Sequence, residues 1–376
     1  MKVCVDIQAA IAQRAGVGRY TRMLVEHLAP LAGADALSLF YFDFKRCGVP
    51  FPVPGAEQKA VRWCPGRIMQ KAWKTAGWPP FDWFAGRADL YHFPNFILPP
   101  LTKGKTIVTI HDVAFLRHPE AAEKRNLKYL NNRIADTVRR ADAIITDSHF
   151  SAREITELLK VPPQKLFPVH LGLSPDMKPA AAVDVENVRN LYGLQMPFIL
   201  TVGTLEPRKN IPFLIDVFER LTDFPGDLVI AGMKGWSYEP ILERMRTSKF
   251  ADRIHYLEYV EDGMLSALYS AAELFVFPTI YEGFGFPPLE AMACGTPVVS
   301  SNAGPLPEVL GNAAVLMDGY SAGEWVEALA DLLRDRTKQD LLCAKGREQA
   351  AKFDWNKTAA ETWRIYRALW QEEATG

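Results

Sequence analysis

Short apolar runs recur along this chain at intervals that leave room for about one helix between them. "KVCVDI" (2–7), "LSLFYF" (37–42), "ADLYHF" (88–93), "TIVTI" (106–110) and "AIIT" (143–146) are rich in β-branched and aromatic residues and too short for helices. They read as strands buried on both faces. The segments between them, 18–29 and 123–140 among others, carry the wider apolar spacing of amphipathic helices. Strand and helix in alternation predict a parallel sheet with helices on both sides. The pattern weakens across "SPDMKPAAAVDVENVRNLYGLQMP" (174–197), which reads as a domain linker. It then resumes with "FILTVG" (198–203), "DLVIAG" (227–232), "RIHYLEYV" (253–260), "ELFVFP" (273–278) and "TPVVSS" (296–301), a second Rossmann-like series. The stretch "WNKTAAETWRIYRALW" (355–370) predicts one amphipathic helix with Ala359, Trp363, Ile365 and Leu369 on a broad stripe.

Composition narrows the class. A chain of 376 residues is long for one core and suggests two domains, and 48% apolar with 23% charged residues describes an ordinary globular protein. A formal net charge of −1 supplies no broad basic field, so no nucleic-acid partner is expected and a membrane contact would need a local patch. Five scattered cysteines without a CxxC argue against a disulfide framework or a structural zinc site. The opening "MKVCVDIQAAIAQ" lacks the apolar core of a signal peptide, and no eighteen apolar residues run together, so a cytoplasmic protein is expected.

Ligands of open parallel sheets collect at the carboxyl ends of strands, and four motifs fall there. In "VGTLEPRKN" (202–210) a strand ends at Gly203, a loop carries Arg208 and Lys209, and a helix follows directly. Two cations beside a helix N-terminus suit phosphate, although a lone basic turn is more often merely solvated. In "YEGFGFPPLEAMACGTPVV" (281–299) Glu282 lies in the loop after a strand and Glu290 about one turn into the next helix, with Gly283 and Gly285 between them. Such carboxylates can accept hydrogen bonds from the vicinal hydroxyls of a ribose or pyranose, and the glycines admit a ligand to the backbone. A capping acid and a surface acid would explain neither the glycines nor the interleaved aromatics. "QAAIAQRAGVGRY" (8–20) offers Gly16 and Gly18 in the first loop, a weak signal alone. In "TIVTIHDVAFLRHPE" (106–120) His111 and Asp112 follow a buried strand. No Asp-x-Asp occurs, no His-x-x-x-His pair suggests a metal, and no acid after the second strand completes a dinucleotide fingerprint.

Together "VGTLEPRKN" and "EGFGFPPLE" resemble family 4 of the retaining glycosyltransferases. "GVGRY", "IHDVAFLRHPE", "ITDSHFS", "HLG" (170–172), "AMACGTPVVSSNAGPLPEV" and "GNAAVLMD" (311–318) extend the resemblance, in order, over nearly the whole chain. The resemblance implies the α/β GT-B architecture, two facing Rossmann-like domains with parallel sheets and a cleft between them. The domains would be an acceptor domain at 1–175, a nucleotide-sugar domain at 176–355, and a helix at 356–376 returning to the first. It implies that Arg208 and Lys209 bind the donor diphosphate and Glu290 the ribose. Glu282 would face the donor hexose, helped by the backbone of Gly283, Phe284 and Gly285. His111 would approach that hexose and Gly16 the phosphates, beside Gly203 and Thr204. Some relatives carry a basic residue where this chain has Thr204, which would place more of the diphosphate charge on Arg208 and Lys209.

The nucleotide sugar would be a substrate, with no cofactor and no metal expected. The wording resembles bacterial mannosyl- and rhamnosyltransferases of O-antigen or exopolysaccharide synthesis. That implies GDP-mannose as donor and a lipid-linked or oligosaccharide acceptor, with GDP-rhamnose, UDP-glucose and UDP-N-acetylglucosamine as rivals. A UDP-sugar 2-epimerase of the same fold and a non-catalytic nucleotide-sugar-binding protein are the alternative classes, the intact set of Arg208, Lys209, Glu282 and Glu290 speaking against the latter. "RWCPGRIMQKAWKTAGWPPFDWF" (62–84) interleaves cations with tryptophans, which suits the inner face of the cytoplasmic membrane as well as a packed loop.

Overall fold

A computed structural model describes residues 1–12, 16–48, 51–121 and 123–375. Contacts divide the chain into two units, one of Met1–Arg117, Lys124–Gly172 and Asp354–Gly376, the other of His118–Glu123 and Leu173–Phe353.

The first unit is built on strands β1 (Lys2–Asp6), β2 (Ala36–Phe42), β3 (Ala56–Val61), β4 (Leu90–Phe93), β5 (Lys105–Thr109), β6 (Ala143–Thr146) and β7 (Leu166–Pro168). All are parallel, in the order β3-β2-β1-β4-β5-β6-β7. Val5 pairs with Leu39 on one side and His92 on the other, and Val3, Cys4 and Val5 are buried, as a strand covered on both faces requires. The strand order reverses between β1 and β4, which fixes the topological switch point of this sheet. Two strands carry no sequence signal of their own: "AEQKAV" of β3 is a polar edge strand, and β7 is three residues long.

The second unit repeats the plan with β8 (Phe198–Val202), β9 (Asp227–Ala231), β10 (Ile254–Leu257), β11 (Leu274–Phe277), β12 (Val298–Ser301) and β13 (Val315–Met317). Their order is β10-β9-β8-β11-β12-β13, again parallel, and the reversal falls between β8 and β11. The expected strand over 253–260 is shorter, because Ala251–Arg253 is a 3-10 turn and the next helix begins at Asp262. The stretch 174–197 is not a bare linker. Its alanine-rich centre forms the helix Ala182–Tyr192, ended by left-handed Gly193 (φ 69°), and Arg189 of that helix donates to the Ala271 carbonyl at 2.8 Å.

The helix Trp355–Thr375 belongs to the first unit and packs on the helix Val17–Ala32. Its Tyr366 is fully buried and meets His92 of β4, the hydroxyl lying 2.6 Å from Nδ1, while His92 Nε2 lies 2.8 Å from the Thr109 hydroxyl of β5. Burial pushes the His92 imidazole down to about 3, so it is neutral and needs both partners. Tyr366→Phe should therefore cost roughly 1–3 kcal/mol, the penalty of one unsatisfied buried nitrogen, read as a lower urea midpoint at unchanged m-value.

Candidate functional site

The second unit's switch point brings two distant loops side by side. One leaves β8 at Gly203, runs through a 3-10 turn at Pro207–Lys209 and left-handed Asn210 (φ 53°), and enters the helix Ile211–Arg220. The other leaves β11 and enters the helix Phe286–Ala293. Backbone stitches them together: Ile280 N–H donates to the Arg208 carbonyl at 2.8 Å, and the Thr279 hydroxyl donates to the same oxygen at 3.1 Å.

Four charged side chains meet there. Lys209 Nζ donates to Glu282 Oε1 at 2.6 Å, and Arg208 Nη1 lies 2.9 Å from Glu282 Oε2. Arg208 also donates from Nε and Nη2 to Glu206 Oε1, at 2.9 and 2.6 Å, and from Nη1 to the Tyr281 carbonyl at 2.7 Å. The Thr279 hydroxyl lies 2.8 Å from Glu282 Oε1, and the ammonium of Lys209 sits 4.9 Å over the Phe277 ring. Lys209, Glu206 and Glu282 are 8, 3 and 6% exposed, so these are buried charges that persist only as a set.

The pKa shifts follow from that setting. Burial works against the Glu282 carboxylate, but the Arg208 and Lys209 cations outweigh it and bring its pKa down to about 2. Burial lowers Lys209, opposed by Glu282, and raises Glu206, opposed by Arg208. Glu282 thus keeps a buried lysine protonated. The arrangement presents two fixed cations at strand ends, where an anionic ligand can exchange for carboxylate.

The remaining motif residues fall around this cluster. Gly203 N–H donates to the Ala231 carbonyl at 2.9 Å, and Thr204 packs its methyl against Gly235. Gly285 has φ +105°, where a side chain is strained, and a Cβ there would lie 2.6 Å from Leu306 Cδ2 and push that side chain aside. Phe284 is buried between Phe286 and Phe353, and Gly283 and Gly285 on either side of it are buried as well. Glu290 is buried in the helix and accepts from the Tyr269 hydroxyl at 3.0 Å. Sequence reasoning passed over Glu206, whose signal was its place in the same strand-end loop as Arg208.

In the first unit His111 follows β5 and is buried against Asp147, which follows the adjacent β6. His111 Nδ1 lies 2.9 Å from Asp147 Oδ2 and Nε2 lies 3.1 Å from the Pro94 carbonyl. Two acceptors on two nitrogens describe an imidazolium. Burial opposes that charge, but the Asp147 carboxylate overcomes it and raises the histidine, while burial raises Asp147. A hydrogen bond from His111 Nε2 to any ligand would compete with the one to the Pro94 carbonyl. Asp147 also went unassigned from sequence, although adjacent strand ends place it beside His111. Gly16, with φ +57°, caps the helix Val17–Ala32, and nothing among the described residues lies within 4 Å of a Cβ there.

Two doubly wound parallel sheets, one with a buried cation pair at its switch point, define an α/β protein. Comparison with known proteins makes this specific. Residues 187–352 match the model of glycosyl transferases group 1, and residues 14–177 that of glycosyltransferase family 4. The O-antigen chain mannosyltransferase B of Escherichia coli is 30% identical over 94% of this chain and 96% of its own. A serotype-specific mannosyltransferase of the same species is 30% identical over 68% of this chain and 32% of its own. Sucrose-phosphate synthase from Thermosynechococcus elongatus shares the fold at a TM-score of 0.79 and 20% identity, covering 99% of this chain and 100% of its own. A glycosyltransferase from Rickettsia africae does so at 0.71 and 15%, covering 98% of each. The chain belongs to the group 1, family 4 glycosyltransferases, and its fold is that of the GT-B enzymes.

The charge cluster makes a pH prediction. Glu282 has a folded pKa below the ordinary 4.5, so its contribution to stability is present above pH 4.5 and lost as pH falls toward 2. Glu282→Gln should destabilise by roughly 3 kcal/mol or more at pH 7, as for a broken buried pair. The gap in melting temperature from the parent should narrow steadily between pH 5 and about pH 3. A gap that stayed constant over that range would contradict the assigned ionisation.

Proposed function

We propose that this glycosyltransferase moves mannose from GDP-mannose, with retention at the anomeric carbon and without a divalent metal, onto a lipid-linked or saccharide acceptor in polysaccharide synthesis. The observation that carries the transferase chemistry is the buried set Arg208, Lys209 and Glu282 at the switch point. The mannosyltransferase names of the relatives support the donor sugar.

In this reading the anomeric C–O bond breaks and its electron pair passes to the diphosphate. Arg208 and Lys209 stabilise that charge where it develops, already oriented by Glu206 and Glu282. The acceptor hydroxyl attacks from the same face, and its proton passes to the departing phosphate oxygen. Glu290 receives the ribose hydroxyls, and the backbone of Gly283–Gly285 borders the hexose. Lys209→Ala should lower kcat by roughly a hundredfold, as for the loss of one strong transition-state contact. GDP release from GDP-mannose, compared with GDP-rhamnose, UDP-glucose and UDP-N-acetylglucosamine, tests the donor. Turnover abolished by EDTA and restored by magnesium would overturn the metal-free route.

A lipid-linked acceptor draws support from the surface of 62–84. Trp73 and Phe81 are buried, but Trp63, Trp78 and Trp83 are 73, 60 and 63% exposed, beside the exposed cations Arg67, Lys71 and Lys74. The one acid of the stretch, Asp82, is buried against Thr102. Indole rings with cations and no exposed acid suit an anionic lipid surface, each cation contributing roughly 1 kcal/mol. No helix among the described residues is long and apolar enough to cross a membrane, so the contact would be peripheral. The protein should float with liposomes containing anionic lipid, and Lys71→Glu with Lys74→Glu should weaken that binding, most visibly at low salt. Absence of binding for both proteins would remove the membrane.

A further inference from the structure

Three neighbouring strand ends of the second unit converge on one peptide group. Thr279 lies two residues beyond β11 and is wholly buried, and its carbonyl accepts from Ser301 Oγ at 2.6 Å and from the Tyr320 hydroxyl at 2.7 Å. Ser301 is the last residue of β12, and Tyr320 lies three residues beyond β13. Both lone pairs of that oxygen are thus taken. The N–H of the same peptide, on Ile280, donates to the Arg208 carbonyl at 2.8 Å, so the plane is pinned at each end. Tyr320 is braced in turn. Its ring meets Phe213 edge-on at 5.5 Å, and Phe213 belongs to the helix Ile211–Arg220 that begins just after Lys209. A pinned peptide fixes where the Thr279 side chain starts, and β-branching leaves that side chain few rotamers.

The side chain is aimed at the charge cluster. Its hydroxyl has one proton and three acceptors within reach, Glu282 Oε1 at 2.8 Å and the Arg208 and Tyr281 carbonyls, each at 3.1 Å. The carboxylate is the nearest and the only charged acceptor, so it draws the largest share of that proton. Glu282 Oε1 therefore carries two donors, the hydroxyl and the Lys209 ammonium at 2.6 Å, while Arg208 Nη1 lies 2.9 Å from Oε2. Two of these three donors are cations, which a ligand anion would pull on. Only the Thr279 hydroxyl is neutral, and it is tied to β12 and to the segment beyond β13 instead.

We infer that Thr279 is a positioning residue for the transfer, its hydroxyl holding the Glu282 carboxylate still while the charge that develops on the leaving diphosphate draws on Lys209 and Arg208. This rests on the transferase reading above. The test uses the full chain, with GDP-mannose as donor and mannotriose as acceptor probe. Thr279→Val keeps the shape of the side chain and removes the hydroxyl, whereas Thr279→Ser keeps the hydroxyl. Thr279→Val should lower kcat about tenfold, the worth of one hydrogen bond to a charged group, and leave donor KM within about twofold of the parent. Thr279→Ser should stay within about threefold of the parent on both, since it keeps the bond. A loss of packing alone would slow Thr279→Ser at least as much as Thr279→Val. Parental kcat in Thr279→Val, or Thr279→Ser as slow as Thr279→Val, would overturn the role. If GDP-mannose is idle while GDP-rhamnose, UDP-glucose or UDP-N-acetylglucosamine is turned over, the donor reading fails alone and the same comparison runs on that sugar. If none is turned over, urea unfolding decides. Thr279→Val should lower the urea midpoint of the parent, and should lower it by less than about half as much in a Glu282→Gln background, where the bond has lost its charge. Equal drops in the two backgrounds reject the role.

Discussion

The contact between Lys209 and Glu282 closes the second unit around its chemistry. Residues 73 positions apart meet at 2.6 Å because β8 and β11 are neighbours in a sheet whose order reverses between them. Without the carboxylates, burial and Arg208 would both push Lys209 toward losing its proton; without the cations, burial would push Glu206 and Glu282 toward gaining one. Together Glu206, Arg208, Lys209 and Glu282 form a neutral set that keeps all four charges in place. The cost of desolvating them is met in the folded chain before any ligand arrives. Both cations are therefore held in fixed orientations by the folded chain itself.

The two buried histidines of the first unit show how strictly neighbours decide ionisation. His92 and His111 lie on adjacent strands, in or just beyond β4 and β5, and both are buried. His92 has only hydroxyl partners, Tyr366 and Thr109, and stays neutral with its pKa near 3. His111 has Asp147 and the Pro94 carbonyl, two acceptors, and its pKa rises. The charge on His111 in turn helps keep His92 neutral. Tyr20 joins the two networks, its hydroxyl 3.1 Å from Thr109 and its ring edge-on to His111 at 4.8 Å. One buried seam thus fixes the helix Val17–Ala32, two strands and the helix Trp355–Thr375.

Periodicity made the central strands legible because burial on both faces leaves a continuous apolar run, as in "AIIT" and "FILTV". It fails where that cause is absent. The edge strand β3 needs no apolar second face, and β7 and β13 are too short to show a period. The helix Ala182–Tyr192 hid behind alanines and a proline-rich approach. In the site, Arg208, Lys209 and Glu282 were legible because strand ends constrain where loops go. Their mutual neutralisation was not, since it depends on which strands are neighbours, and Glu206 and Asp147 owe their roles to that same adjacency. For 62–84 the sequence could not separate packed from exposed tryptophans. Trp73 is held inside by Pro79, whose carbonyl accepts its indole N–H at 2.6 Å, while Trp63, Trp78 and Trp83 are left outside.

Both sheets share one plan, yet their switch points carry different chemistry. At β8 and β11 the loops deliver cations backed by carboxylates, which suits a ligand bearing fixed negative charge. At the end of β1 the sheet instead delivers a carboxylate, Asp6, whose Oδ1 accepts from the Gln8 N–H at 2.9 Å and whose pKa burial raises to about 6. The same strand order around each switch point supplies the positions, and the residue at the end of each first strand, Gly203 after β8 or Asp6 in β1, begins the divergence.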